Sequence, residues 1–157
     1  MTIAPIRRSV RTKAPPAKAF EIFTRQIGLW WPKGHGVGAQ PLFEVVIEPG
    51  VGGRWFERDA AGHETQWGQV LAWDPPGRLI LAWQLNREKR FDANLITEVE
   101  LTFTAADDGG TDVTLEHRDL ERFGQDSAQW LSSIGGGWSQ KLGEFAAYAD
   151  TLPDQEE

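Results

Sequence analysis

The chain contains no cysteine in 157 residues. That absence removes disulfides, thiolate catalysis and cysteine-ligated zinc. Histidine is nearly as scarce, and the three present, His35, His63 and His117, lie far apart. With no His-x-His or His-x-x-x-His pair, no metal site is expected. Basic residues are outnumbered: 16 Lys and Arg against 23 Asp and Glu leave a net charge of −7. A phosphate backbone needs a basic face, so nucleic acid is not an expected partner. No apolar run approaches membrane-spanning length, and Met1 to Arg8 lacks the apolar core of a signal peptide. The expectation is a cytoplasmic protein, monomer or homodimer, with no membrane contact and no cofactor. Arg7, Arg8, Arg11 and Lys13 crowd one end and Asp150, Asp154, Glu156 and Glu157 the other; both read as solvated ends.

What the chain has in plenty is tryptophan, eight in all. Four fall between Phe43 and Trp83, where short apolar runs are cut by Pro-Gly, Gly-Gly, Ala-Gly and Pro-Pro-Gly signals. Such punctuation describes an antiparallel meander of four strands. Large amphipathic rings on a small sheet suggest a surface that lines something, because Leu, Ile and Val fill a tight core more easily.

Around this meander the periodicities are clear. Ile6 to Lys13 alternates as a half-buried first strand, and Pro15-Pro16 ends it and pre-sets a helix. Phe20, Phe23 and Ile27 recur at helical spacing, giving one or two short helices that stop at Pro32. Lys33 to Pro41 reads as a loop. Leu95 to Thr104 and Thr111 to His117 alternate as two more strands, joined by the turn Asp107-Asp108-Gly109-Gly110. Trp130, Ile134, Trp138, Leu142, Phe145 and Ala149 form one helical apolar stripe. Gly135-Gly136-Gly137 interrupts it at a cost of about 3 kcal/mol in helix propensity, marking either a kink or a close backbone approach. The predicted fold is α+β: a curved antiparallel sheet wrapped around a long C-terminal helix, with two short helices after the first strand. Residues 1–152 form one domain and 153–157 a disordered acidic tail.

Taken together, Trp30-Trp31-Pro32, Glu48-Pro49, Val51-Gly52-Gly53-Arg54, Trp67-Gly68, Trp73-Asp74-Pro75-Pro76, Leu79, Trp83, Val113 to His117 and Gly137-Trp138 resemble one family in order and spacing. It is the SRPBCC (START / birch-allergen-like) superfamily, in the branch named for activators of the ninety-kilodalton heat-shock chaperone ATPase. The resemblance runs from about Ile6 to Leu152. It implies a helix-grip fold and a hydrophobic cavity of the kind that binds lipids, sterols, polyketides or hormones. The chaperone activators carry an additional N-terminal domain, for which this length leaves no room.

The candidate ligand wall comprises Trp30, Trp31, His35, Trp55, Trp67, Trp83, His117, Ile134 and Trp138. His117 shares a strand face with Val113 and Leu115, where an imidazole could serve as acid, base or hydrogen-bond donor; the alternative is a strand-end histidine bonded to backbone. His35, in Gly34-His35-Gly36-Val37-Gly38-Ala39, belongs to a lid or an ordinary surface loop. His63, at a hairpin tip, is expected to be solvated. Alternation places Trp55 and Glu57 on one strand face. An exposed Glu57 paired with a neighbouring cation is the preferred reading, and a buried acid-base carboxylate the alternative. The function favoured by the sequence is binding of a hydrophobic small molecule, aromatic, acyl or polyketide-like, between sheet and helix. The alternatives are a cyclase, dehydratase or hydrolase using the same cavity through His117 or Glu57, and a chaperone-associated interaction protein with exposed tryptophans.

Overall fold

The computed structural model describes residues 3–32, 34–36, 41–124 and 126–152. The predicted acidic tail 153–157 and part of the predicted loop 33–41 lie outside them. Seven strands form one antiparallel sheet: β1 (Ile6–Thr12), β2 (Leu42–Ile47), β3 (Arg54–Asp59), β4 (Glu64–Asp74), β5 (Arg78–Trp83), β6 (Thr97–Ala105) and β7 (Thr111–Arg118). Between β1 and β2 sit α1 (Pro16–Thr24) and α2 (Ile27–Trp30), and the chain ends in α3 (Ala128–Thr151). A 3-10 turn at Leu120–Phe123, which the periodicity did not announce, connects β7 to α3.

The strand order β1-β7-β6-β5-β4-β3-β2 is a meander closed by its first strand, which pairs with its last: Ile6 faces His117 and Thr12 faces Thr111. The sheet curls around α3 as a half-barrel. Register shifts at Trp55/Phe56 in the β3–β4 ladder and at Val70/Ala72 in the β4–β5 ladder add the local bend that curling requires. Alternation decides the faces. Thr97, Val99, Leu101 and Phe103 of β6 and Thr111, Val113, Leu115 and His117 of β7 are all buried. Their outward neighbours form a charge ladder in which Arg118 binds Glu98 and Glu100, and Arg78 binds Glu100. Pairs this exposed contribute about 0–1 kcal/mol each, so apolar burial on the concave face is the larger force.

Proline sets the two short helices. Pro16 occupies the first turn of α1, where its missing N–H costs nothing, and Pro32 holds Trp31 in extended backbone (ψ 132°), ending α2. Arg7, Arg11, Lys13 and Asp150 are exposed, as the reading of solvated ends expects, and they also make directed contacts. Asp150 of α3 accepts from Thr12 Oγ1 (2.7 Å) and Lys13 N (2.8 Å), while Arg8 Nε donates to Ser139 Oγ (2.8 Å). Arg7 and Arg11 pair with Glu116 and Asp112. Strand β1 therefore clips the final helix to the sheet.

Helix α3 runs unbroken through Gly135-Gly136-Gly137, so the glycines mark no interruption of the helix. Two of them give room. A Cβ on Gly135 would lie 2.7 Å from Arg8 Nη2, and one on Gly137 3.0 Å from Lys141 Nζ. Gly136 faces open space, with nothing within 4 Å of its missing Cβ. Gly136→Ala should therefore recover its helix propensity and stabilise the protein by about 1 kcal/mol. A thermal melt reads this as a rise of roughly 2–4 °C; an unchanged or lower midpoint would contradict it.

Candidate functional site

Six of the eight tryptophans meet in one cluster drawn from α2, its C-terminal flank, β3, β4, β5 and α3. Trp31 lies 5.7 Å from Trp30, 6.2 Å from Trp55, 5.1 Å from Trp67 and 6.2 Å from Trp138, centroid to centroid. Trp83 closes the circuit at 6.0 Å from Trp55 and 5.7 Å from Trp138. Most of these contacts are edge-to-face, the arrangement the ring quadrupole favours. Rings packed at such angles do not fill all the space between sheet and helix.

A cavity of about 260 Å³ remains. Its walls include Trp31, Trp67 and Trp83 on one side, Trp130, Ile134 and Gly137 of α3 on the other, and Gly34-His35-Gly36 at the rim. Of the predicted wall, Trp31, His35, Trp67, Trp83 and Ile134 reach this space. Trp30, Trp55, Trp138 and His117 pack behind it. The lid reading of the His35 loop falls partly on residues outside the described ones. Within them, the Trp31 indole N–H donates to the His35 carbonyl (3.2 Å), which fastens Gly34-His35-Gly36 to the wall.

His117 is sealed. It is 0% exposed, its Nδ1 accepts from Trp138 Nε1 (3.2 Å), and its Nε2 lies 2.8 Å from Thr97 Oγ1. Indole nitrogen can only donate, so the imidazole proton sits on Nε2 and points to Thr97, whose hydroxyl passes the chain on to the Trp83 carbonyl (3.3 Å). Every polar atom of the ring is satisfied by protein. Burial pushes its pKa down to about 3, leaving it neutral.

Glu57 differs from the preferred sequence reading. It is 1% exposed, not solvated, and accepts the Trp67 indole N–H at 2.9 Å. The inward Trp55 face carries it under the cavity wall, beside the rim at Gly36. Arg54 and Arg58 stay outside, where they roof the Phe56 ring at 4.2 and 5.6 Å. His63 is exposed, 3.7 Å from the Asp59 carboxylate.

The residue that sequence reasoning missed is Lys141. It belongs to α3 and is only 8% exposed, yet its ammonium lines the cavity, 5.1 Å from the Trp31 ring and 5.4 Å from Trp138. Among the described residues no carboxylate pairs with it. Burial, and then the charge of Lys89, pull its pKa down to about 8. The missing Cβ of Gly137 is what lets the side chain fold back along the helix. The signal was present in the sequence: Lys141 falls three residues after Trp138 and four before Phe145, on the apolar stripe itself. A charge on a buried stripe is costly unless its head group finds a partner, water or a cavity. Among the described residues no group of three or more His, Cys, Asp or Glu could hold a metal, and no helix is long and apolar enough to cross a membrane.

The buried imidazole makes a pH prediction. Its folded pKa is depressed from 6.5 to about 3, so the unfolded chain binds the extra proton between those values. Its contribution to stability is complete above pH 6.5 and declines as pH falls toward 3, by about 1.4 kcal/mol per unit. Denaturant titrations of wild type and His117→Gln should converge as pH is lowered from 7 to 4.5. A constant gap across that range would show that His117 is not held neutral by the fold.

Comparison with known proteins places this geometry in a wider group. The family described as Activator of Hsp90 ATPase homolog 1-like protein matches residues 13–150. No functionally curated protein matches the chain. Among solved structures, the anthrahydroquino-gamma-pyrone synthase Txn09 is 34% identical, with a TM-score of 0.66 over 93% of this chain and 97% of that one. The self-sacrificing resistance protein CalC from Micromonospora echinospora is 28% identical, with a TM-score of 0.68 over 94% and 95%. Protein MLL2253 from Mesorhizobium loti, at 21% identity and a TM-score of 0.69 over 96% and 99%, shares the fold. With its curled sheet, gripped helix and matched sequence, the chain belongs to the Activator of Hsp90 ATPase homolog 1-like family, within the SRPBCC superfamily.

Proposed function

We propose that the protein binds a compact, planar aromatic molecule of polyketide type in the cavity between the β3–β5 wall and α3. The observation that carries this reading is the cavity's wall of four indoles: Trp31, Trp67 and Trp83, facing Trp130, Ile134 and Gly137 of the helix. Indole faces suit fused rings, which gain stacking beyond simple burial. At about 260 Å³ the space falls just under the roughly 300–1,000 Å³ typical of ligand pockets, which favours a compact ring system over a long acyl chain. The neighbour at 34% identity is named as the synthase of an anthrahydroquino-gamma-pyrone, and that name supports a fused-ring ligand here.

A specific observation favours a second reading, catalysis in the same cavity. An amine with a pKa of about 8 is a competent base near neutrality, as a cyclase or dehydratase requires. Lys141 suits that role better than the sealed His117. The interaction-protein reading loses its structural basis, because Trp30 and Trp31 are 4% and 5% exposed and form no partner surface.

Titration with anthraquinones and with long-chain fatty acids, followed by tryptophan emission, tests the proposal. Fused-ring compounds should quench emission with micromolar affinity and fatty acids should not. Trp67→Phe should weaken ring binding by up to about tenfold, the loss expected for one aromatic contact. No response to any fused-ring compound, with the protein folded, would overturn the assignment.

A further inference from the structure

We infer that the cavity recognises its ligand as an anion, an aromatic phenolate, enolate or carboxylate whose charged oxygen pairs with Lys141. The inference rests on the aromatic-ligand reading and adds to it the charge state of the molecule bound.

The argument begins with what is missing from the wall. The described residues that line the cavity include Lys89 and Lys141 but no aspartate or glutamate. In a chain of net charge −7, acids outnumber bases, so a wall carrying cations alone runs against the composition. Two acids come near this region without lining the cavity. Glu57 lies behind the wall, engaged by Trp67 Nε1, and Glu144, one turn along α3 from Lys141, is exposed. Elsewhere the protein neutralises its cations readily: Arg7, Arg11, Arg54, Arg58, Arg78 and Arg118 all have carboxylate partners. Lys141 has none among the described residues, although it is the most deeply buried of these cations.

A buried ammonium without a counter-charge is costly, and folding commonly removes that cost by pairing or by deprotonation. Here the first route is left open beside a cavity that a ligand can enter. The indole faces of Trp31 and Trp138 supply partial compensation through the ring quadrupole, but they leave the N–H donors unmatched. Lys89 adds a second positive charge close enough to lower the pKa of both Lys141 and His35. An entering anion would reverse that repulsion, restoring full protonation to Lys141. The chemistry that fits is an acidic oxygen carried on an aromatic ring system.

Alizarin and its dimethyl ether provide the test, because they share a ring system and only alizarin ionises to a coloured phenolate. Visible spectra across pH should show alizarin ionising about one pH unit lower when bound than when free, the shift expected from one adjacent cation. It should bind at least tenfold more tightly than the ether at pH 7.5. Lys141→Met should abolish both effects while the ether still binds, with circular dichroism reporting that the variant is folded. Lys141→Arg should restore part of the preference. Equal binding of the two compounds by the wild type, with no shift in ionisation, would overturn the anion inference and leave the aromatic cavity standing. A shift that survives in Lys141→Met would remove Lys141 from it. Failure of both compounds to bind would overturn the cavity reading and this one with it.

Discussion

The structure depends on one constraint: six indoles from separate elements must pack together between a curved sheet and the helix it grips. Trp31 touches Trp30, Trp55, Trp67 and Trp138, and Trp83 joins Trp55 to Trp138. Each ring fixes the angle of its neighbours, so α2, the middle strands and α3 cannot shift independently. The hydrogen bonds reinforce this. Trp30 donates to the Ile22 carbonyl, Trp67 to Glu57, Trp83 to the Leu85 carbonyl and Trp138 to His117, so most of the rings are held at both face and edge. Rigid, angular side chains leave gaps that aliphatic ones would close. The cavity is a consequence of that choice.

Two buried ionisable groups then take opposite roles. His117 is enclosed by donors and acceptors that complete its bonding, and its neutrality is part of the core. Lys141 is enclosed by rings that cannot complete its bonding, and its charge faces the cavity. The distinction lies in partners rather than in burial. A satisfied polar group is structural, whereas an unsatisfied cation beside a cavity constrains what can enter. The charges on the outer sheet face, by contrast, are paired with one another and exposed to water.

Much of the architecture was legible because it rests on periodicity. Strict alternation in β6 and β7 assigned their buried faces residue by residue, and the stripe from Trp130 to Ala149 identified the gripped helix. Proline and glycine punctuation located the meander. The parts that were not legible are those decided by packing across elements. Glu57 looked like a surface carboxylate because nothing local reveals that Trp67, ten residues away, will present an N–H to it. The role of the glycine run depended on Arg8, which arrives from the other end of the chain. Lys141 was hidden by its own residue type: lysine reads as solvent, and only its place on the stripe argued otherwise. Which tryptophans reach the cavity and which lie behind it follows from ring angles that no linear pattern encodes.

The central claim is that this cavity holds an aromatic anion between indole walls and a buried lysine. A crystal structure of the protein grown with alizarin tests it most directly. The account predicts the ring system in contact with Trp31, Trp67 and Trp83, with a phenolate oxygen within hydrogen-bonding distance of Lys141 Nζ. A ligand bound elsewhere, or one seated in the cavity with its acidic oxygen turned away from Lys141, would contradict it.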